Sequence, residues 1–378
     1  MRYLSKFIEN DLTKKMVLLS GPRQSGKTTL AKNLLNNSGT YLNWDISKDR
    51  QIIKDISWPK NSSLVILDEL HKAPKWKNYL KGLADEFKNK PHLLVTGSAR
   101  LDTMRKAGDA LTGRFYNYHL HPVDVQESKI FYPKKNLNDR VHLLLETGGF
   151  PEAYLNPKDS ERLRNDRFEL VVREDLLDIT KVTAYRSITN LIDLLRERIG
   201  KPLNYDSLGQ DLSVSGPTVK SWIELLERLY IIFLIKPYSN NFARSIRKEQ
   251  RVYFYDCGSS YNESDGSRLE NLVACSLLKQ IQLQRDTTGK NWELHYLRDK
   301  DKHEVDFAIS LNRKIQYLIE VKTSETKVST GFYYYTNKLN TNNNIQLVHN
   351  LDRPLEKNGV KIISLASWLD SFTLTQKF

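Results

Sequence analysis

The chain has 378 residues, 39% hydrophobic and 10% aromatic, with 58 Lys and Arg against 45 Asp and Glu and a formal net charge of +13. That length holds two or three domains with real cores, which excludes a disordered chain. Two cysteines, Cys257 and Cys275, exclude a disulfide framework and, unaided, a four-ligand zinc site. The longest apolar runs, such as Ile231–Ile235, are far too short to span a bilayer. No long apolar stretch follows the first positive residues, so no secretory signal is read. The expectation is a cytoplasmic protein without a membrane partner, its cysteines serving as small core residues. The positive excess is uneven: residues 1–150 carry 25 Lys and Arg against 15 Asp and Glu, and 151–378 carry 33 against 30. A basic balance of this kind favours polyanions, nucleic acid or nucleotide.

The run Met16-Val17-Leu18-Leu19-Ser20 predicts a buried strand. Gly21, Pro22, Arg23, Gln24, Ser25, Gly26, Lys27 and Thr28 follow it as a complete G-x-x-x-x-G-K-[ST] loop, with Thr29 just beyond, and Thr28–Leu35 predicts a helix. Strand, glycine turn and helix start together point backbone N–H groups at an anion. Lys27 would reach the β- and γ-phosphates of ATP, and the Thr28 hydroxyl would bind Mg²⁺. Next, Leu64–Leu67 ends in Asp68 and Glu69, as a central parallel strand delivers acids to its C-terminal edge. Asp68 would hold the Mg²⁺ shell, and Glu69 would polarise the attacking water. A third strand, His92–Thr96, runs into Gly97-Ser98-Ala99-Arg100, and Ser98 is the candidate polar contact to the γ-phosphate or the water.

Further on come Leu111-Thr112-Gly113-Arg114-Phe115, then His121-Pro122 with Glu127, then Gly148-Gly149-Phe150-Pro151-Glu152. With the phosphate loop, this ordered set resembles the bacterial and archaeal AAA-type ATPases (AAA_14-like) that carry a DUF4143-type C-terminal domain. The resemblance covers essentially the whole chain. It implies ATP hydrolysis and an oligomer, and it makes Arg114 the first choice for the cation on the γ-phosphate, in cis or from a neighbouring copy. Arg23 is a second candidate for phosphate contact. Where the family usually has an aromatic or serine-rich stretch after the proline, this chain has Val123-Asp124-Val125-Gln126, a departure that bears on packing.

Residues 160–200 are charged and amphipathic and predict helices of a lid or bridge. Tyr205–Leu212 predicts a short helix, Ser213–Gly216 a turn, and Pro217 onward a second helix with Ser215 as N-cap. Strand Tyr230–Ile235 follows, which makes a winged-helix-like segment. Lys236, Arg244, Arg247, Lys248 and Arg251, with Tyr238 and Phe242 among them, then form a basic stretch that can serve as a wing on DNA phosphates.

From Gly258 the character changes. Ser267–Ala274 opens an amphipathic helix containing Glu270, and strands are predicted at 293–298, 304–309 and 317–322. Asn312-Arg313 connects the last two as a hairpin. Glu320 and Lys322 are two apart and share one face of their strand, with Asp306 on the neighbouring strand. Glu270, Asp306, Glu320 and Lys322 resemble the acid, acid, acid and lysine positions of the PD-(D/E)XK nuclease superfamily, with Val305 where a proline often precedes the aspartate. The resemblance implies Mg²⁺ or Mn²⁺ held by Glu270, Asp306 and Glu320, with Lys322 orienting water. Glu304 would add an acid on the Asp306 face.

The fold expected is therefore α/β. An AAA-type P-loop domain with a parallel sheet spans 1–154, a helical bridge 155–200, a winged-helix-like segment 201–257, and an α/β restriction-endonuclease-like domain 258–378. The function expected is ATP binding and hydrolysis coupled to a DNA-binding, nuclease-like back half. The rival is an ATP-dependent switch or scaffold for protein partners, its nuclease-like domain silent.

Overall fold

The computed structural model describes residues 2–35, 38–87, 90–97, 113–172, 182–239, 249–258 and 265–374. The chain divides into two compact units, Met1–Pro122 and Val123–Phe378. No described helix is long and apolar enough to cross a membrane.

In the first unit, five short strands form one parallel sheet: β1 (Met16–Ser20), β2 (Gly39–Asn43), β3 (Leu64–Asp68), β4 (His92–Thr96) and β5 (Phe115–His119), in the order β2-β3-β4-β1-β5. The central strands are uninterrupted apolar runs because both faces are covered. Met16, Leu18, Val65, Leu67, Leu93 and Val95 pack one face against Ile53, Trp58, Leu80 and Leu83. Val17, Leu19, Ile66 and Leu94 are fully buried as well. Each such side chain contributes about 1.5–3 kcal/mol. Helix α1 (Ser5–Leu12) precedes β1, and α2 (Lys27–Asn33), α3 (Ser47–Asp55) and α4 (Trp76–Glu86) connect the strands up to β4. Strand β4 lies between β1 and β3, pairing Leu19 with Thr96 and Asp68 with Thr96. The phosphate-loop strand and the acid-bearing strand are thus separated by one strand, whose C-terminal end touches both.

The second unit opens with α5 (Val125–Phe131), α6 (Leu137–Thr147), α7 (Pro151–Leu155), α8 (Ser160–Leu170) and α9 (Val182–Arg196). Helices α10 (Tyr205–Asp211) and α11 (Gly216–Arg228) form the expected helix pair. Ser215 caps α11 by accepting the Thr218 N–H at 3.3 Å, with Pro217 in the first turn. An eight-stranded mixed sheet follows, in the order β12-β13-β11-β10-β9-β8-β6-β7. Its strands are β6 (Ile232–Pro237), β7 (Arg251–Phe254), β8 (Trp292–Arg298), β9 (Glu304–Leu311), β10 (Lys314–Lys322), β11 (Asn343–Val348), β12 (Leu355–Lys357) and β13 (Val360–Ser364). Helices α12 (Asp265–Thr288), α13 (Thr330–Leu339) and α14 (Leu365–Ser371) complete it. Asn312 and Arg313, at φ 49° and 67°, make the two-residue turn between β9 and β10. Two adjacent left-handed residues match the twist of a hairpin.

Strand β6 pairs with β7 as a hairpin and also with β8, through Lys236–His295 and Pro237–Tyr296. Strands β6 and β7 therefore belong to the same sheet as the C-terminal strands, and the change of composition at Gly258 falls inside that sheet. Composition reports which residues a segment carries, not which strand it pairs with.

Buried charges tie the helices of this unit to one another and to its sheet. Lys279 on α12 bonds Asp124 at 2.9 Å and Glu127 at 2.5 Å, all three buried. Asp256, just past β7, pairs with Arg167 at 2.5 Å and Arg164 at 3.5 Å on α8. Two of the ordered motif residues thus have structural work. Glu127 is an ion-pair partner of Lys279. Gly148, at φ +78°, passes so close to Asp256 that a Cβ there would collide with the carboxylate.

Candidate functional site

The phosphate loop leaves β1 at Ser20 and enters α2 at Lys27. Gly21 has φ +143°, and a Cβ on it would collide with the Leu120 carbonyl oxygen, so only glycine lets the loop pass this close. Lys27 is buried, and its Nζ donates to the Gly21 carbonyl at 3.0 Å and the Pro22 carbonyl at 2.6 Å. Ser25 Oγ is buried and makes no hydrogen bond among the described residues. An orphaned hydroxyl inside a basic glycine loop suits an anionic ligand.

Asp68 gathers the site. Its Oδ2 accepts from Thr28 Oγ1 at 2.8 Å and from Tyr41 Oη at 2.7 Å, and its Oδ1 accepts from Thr96 Oγ1 and from the Glu69 N–H at 3.1 Å. The Thr28–Asp68 bond brings the last residue of the loop motif onto the end of β3. Those two oxygen donors are the kind Mg²⁺ takes. Thr96 is the polar residue at the end of β4 that sequence reasoning missed. Its place in the last pair of the parallel register was its signal. Ser98, the candidate chosen from sequence, lies outside the described residues.

Glu69 sits at φ 56°, a left-handed value uncommon outside glycine and concentrated at functional sites. Its Oε2 lies 3.6 Å from both His71 Nε2 and Lys72 Nζ and makes no hydrogen bond among the described residues. Burial holds its carboxyl above the usual range, against the pull of Lys72. The Arg23 charge acts on it in the same sense as Lys72. A second missed residue is Arg2, whose guanidinium donates to the Ser25 carbonyl at 2.8 Å and the His121 carbonyl at 2.7 Å. It clamps the loop from the chain's opening segment.

Arg114 stands away from the phosphate loop of its own chain. It precedes β5, and Phe115 pairs with Met16 at the start of β1, so Arg114 lies at the sheet edge opposite the phosphate loop. The intervening strand is about 17 Å long. Arg114 Nε donates to Asp85 Oδ1 at 2.8 Å.

In the second unit, Glu320 and Lys322 share one face as expected, with Lys322 Nζ 2.9 Å from Glu320 Oε1. Ser329 Oγ donates to Glu320 Oε2 at 3.0 Å, and the Val321 N–H donates to Asp306 Oδ2 at 2.8 Å. Glu270 accepts from Tyr253 Oη at 2.6 Å, and burial followed by the Asp306 charge pushes its carboxyl up to about 7. Arg251 stands among these acids. Its Nη1 lies 3.8 Å from Glu270 Oε1 and 4.0 Å from Asp306 Oδ1, and Nη2 pairs with Glu304. Burial opposes its charge, but Tyr253, Glu270, Glu304 and Asp306 outweigh burial and hold its pKa above normal. Arg251 is 2% exposed, which corrects its reading as part of a phosphate-contacting wing. Of the other members of that stretch, Lys236 is exposed on β6 and Tyr238 Oη donates to the Arg313 carbonyl at 2.7 Å, while Arg244, Arg247 and Lys248 with Phe242 lie outside the described residues. Among the described residues, ligand atoms close within 4.8 Å as a trio at Asp299, Asp301 and His303, not at Glu270, Asp306 and Glu320.

Three families match the chain: an AAA domain over residues 13–129, a domain of unknown function (DUF8612) over 138–262, and a domain of unknown function (DUF4143) over 265–368. An uncharacterized protein of Mycobacterium tuberculosis is 23% identical over 333 residues, covering 82% of this chain and 71% of that protein. One from Methanocaldococcus jannaschii is 24% identical over 305 residues, covering 66% and 62%. Among solved structures, the Aeropyrum pernix ORC1 protein in complex with DNA superposes with a TM-score of 0.36 at 12% identity, over 72% of this chain and 94% of that one. The Thermotoga maritima RuvB Holliday junction branch migration motor gives 0.34 at 19%, over 61% and 86%. With its phosphate loop on a five-stranded parallel sheet and its mixed C-terminal sheet, the chain is an AAA-domain protein that carries a DUF4143 domain.

Proposed function

We propose that the first unit binds and hydrolyses ATP, and that its nucleotide state controls how the second unit engages a macromolecular partner. The observation that carries the first half is the bond from Thr28 to Asp68, which joins the phosphate loop to the acidic strand end beside Lys27. Mg²⁺, held through Thr28 and Asp68, would neutralise phosphate charge during transfer. Gly21 to Thr29 would cradle the phosphates, with Arg23 beside them. Glu69 would take the proton of the attacking water, and Thr96 would fix the orientation of Asp68. Arg114 would act on the site of a neighbouring copy, which makes the active form a homo-oligomer. Its position at the far sheet edge supports that reading, since contact within one chain would have to cross the strand.

Nucleic acid is the partner proposed for the assembly, on the strength of the net charge and of Arg244, Arg247 and Lys248 in the sequence. Helix α11 gives this no help. Its exposed charges are Lys220, Glu224, Glu227 and Arg228, which cancel. The rival reading, a switch whose nuclease-like domain is silent, is favoured by one observation: the buried Arg251 among the acids. The division into ATPase domain, helical bridge, winged-helix-like segment and nuclease-like domain is proposed with it. Titration of a fluorescent ATP analogue into wild type and Lys27→Ala tests the nucleotide site. Wild type is expected to bind at micromolar concentrations and the variant at least tenfold more weakly. Equal binding would remove Lys27 from the site.

A further inference from the structure

The acids expected to hold a divalent cation surround a fixed cation supplied by the chain itself. Arg251 reaches them from β7, and its guanidinium carbon lies 4.4 Å from the centroid of the Tyr296 ring. Glu304 takes its Nη2, and Glu270 and Asp306 lie within 4.0 Å of its Nη1. The remaining acid is also occupied: Glu320 is held by Lys322 on one oxygen and Ser329 on the other. Asp306 Oδ2 is taken by the Val321 N–H. A guanidinium stays charged at every pH at which the protein is folded, so its charge is not withdrawn to admit a metal. A divalent ion needs oxygens converging at about 2.0–2.2 Å, and it would meet a buried like charge here. The side chains present therefore do not fit Mg²⁺ or Mn²⁺.

We propose that the carboxylate cluster of the second unit is a metal-free ionic core, with Arg251 in the place of the divalent cation, so that this domain holds its partner without cutting phosphodiester bonds. The inference does not rest on the nucleotide reading. It also gives Glu304 a role, as the acid that anchors the guanidinium, and it explains why the three expected ligands are individually satisfied by protein donors.

The test titrates Mn²⁺ into nucleotide-free full-length protein and counts bound ions by electron paramagnetic resonance. Wild type and Asp306→Asn are expected to bind equal numbers, because Asp306 holds none. Asparagine keeps an acceptor for the Val321 N–H, so this variant is the mild one. Arg251→Met is expected to gain one Mn²⁺ with at least tenfold higher affinity than any wild-type site in this unit, and Arg251→Lys to gain none. Wild type binding one Mn²⁺ more than Asp306→Asn would overturn the proposal, whatever the fate of the Arg251 variants. A folded Arg251→Met that takes up no Mn²⁺ would overturn the claim that the guanidinium stands in for a metal. ATP-analogue binding, measured separately, reports on the first unit and leaves the two readings distinguishable.

Discussion

Lys279 lies buried between Asp124 and Glu127, at 2.9 and 2.5 Å from their oxygens. Lys279→Met keeps an unbranched apolar stem, one atom shorter, and removes the charge together with its N–H donors. Two carboxylates then face each other in a site that water does not reach. Breaking a buried pair by removing one partner costs about 3–5 kcal/mol. For a unit of this size, each kcal/mol moves the melting temperature by about 2–4 °C, so a fall of about 10 °C is expected by scanning calorimetry. Neutralising the partners as well, in Lys279→Met/Asp124→Asn/Glu127→Gln, should recover most of the loss. The amide at 124 still accepts the N–H of residue 127, which caps α5 at 2.9 Å in the wild type. A Lys279→Met protein that melts within about 2 °C of wild type would refute the reasoning, because a solvated or redundant pair costs no more than about 1 kcal/mol.

Gly21→Ala should weaken nucleotide binding at least tenfold by calorimetric titration, since the left-handed φ and the Leu120 carbonyl leave no room for a Cβ; unchanged affinity would show that the loop has slack. Arg114→Ala should lower ATP turnover with little change in nucleotide affinity or melting temperature, the exposed pair with Asp85 being worth no more than about 1 kcal/mol. Mixing it with Lys27→Ala protein should restore part of the turnover, and full turnover by Arg114→Ala alone would leave this arginine structural. Changing Arg244, Arg247 and Lys248 together to alanine should reduce the slope of log affinity for DNA against log salt by about 2–3, one counterion for each lost phosphate contact. An unaltered slope would remove these residues from the interface.

The parts legible in the sequence are those whose signals are local. The phosphate loop with its strand and helix, the apolar run ending in Asp68-Glu69, the Ser215 cap with Pro217, and the Asn312-Arg313 turn each occupy a few consecutive residues, and each fixes its own backbone. What escaped depends on partners far apart in the chain. The sequence sets Arg251 among basic neighbours, whereas its surroundings in the fold are Glu270, Asp306 and Glu304. Lys279 and Glu127 are 152 positions apart. Alternation along one strand does not reveal that β4 sits beside β3, which is what brings Thr96 to Asp68. Arg114 stands at the start of its strand, as the sequence suggests, but only the parallel pairing of that strand with β1 puts this end opposite the phosphate loop. The join of β6 to β8 likewise has no signature in the composition of either strand.

Glu69, at the end of the acidic strand, is proposed to drive hydrolysis of ATP held by the loop that contains Lys27. Phosphate release from ATP in the presence of Mg²⁺, measured on wild type, Glu69→Gln and Lys27→Ala alongside nucleotide binding, tests it most directly. Wild type should turn over, Glu69→Gln should bind ATP as wild type does while losing at least about 100-fold in rate, and Lys27→Ala should lose binding. Equal phosphate release by wild type and Glu69→Gln would remove Glu69 from the hydrolytic step.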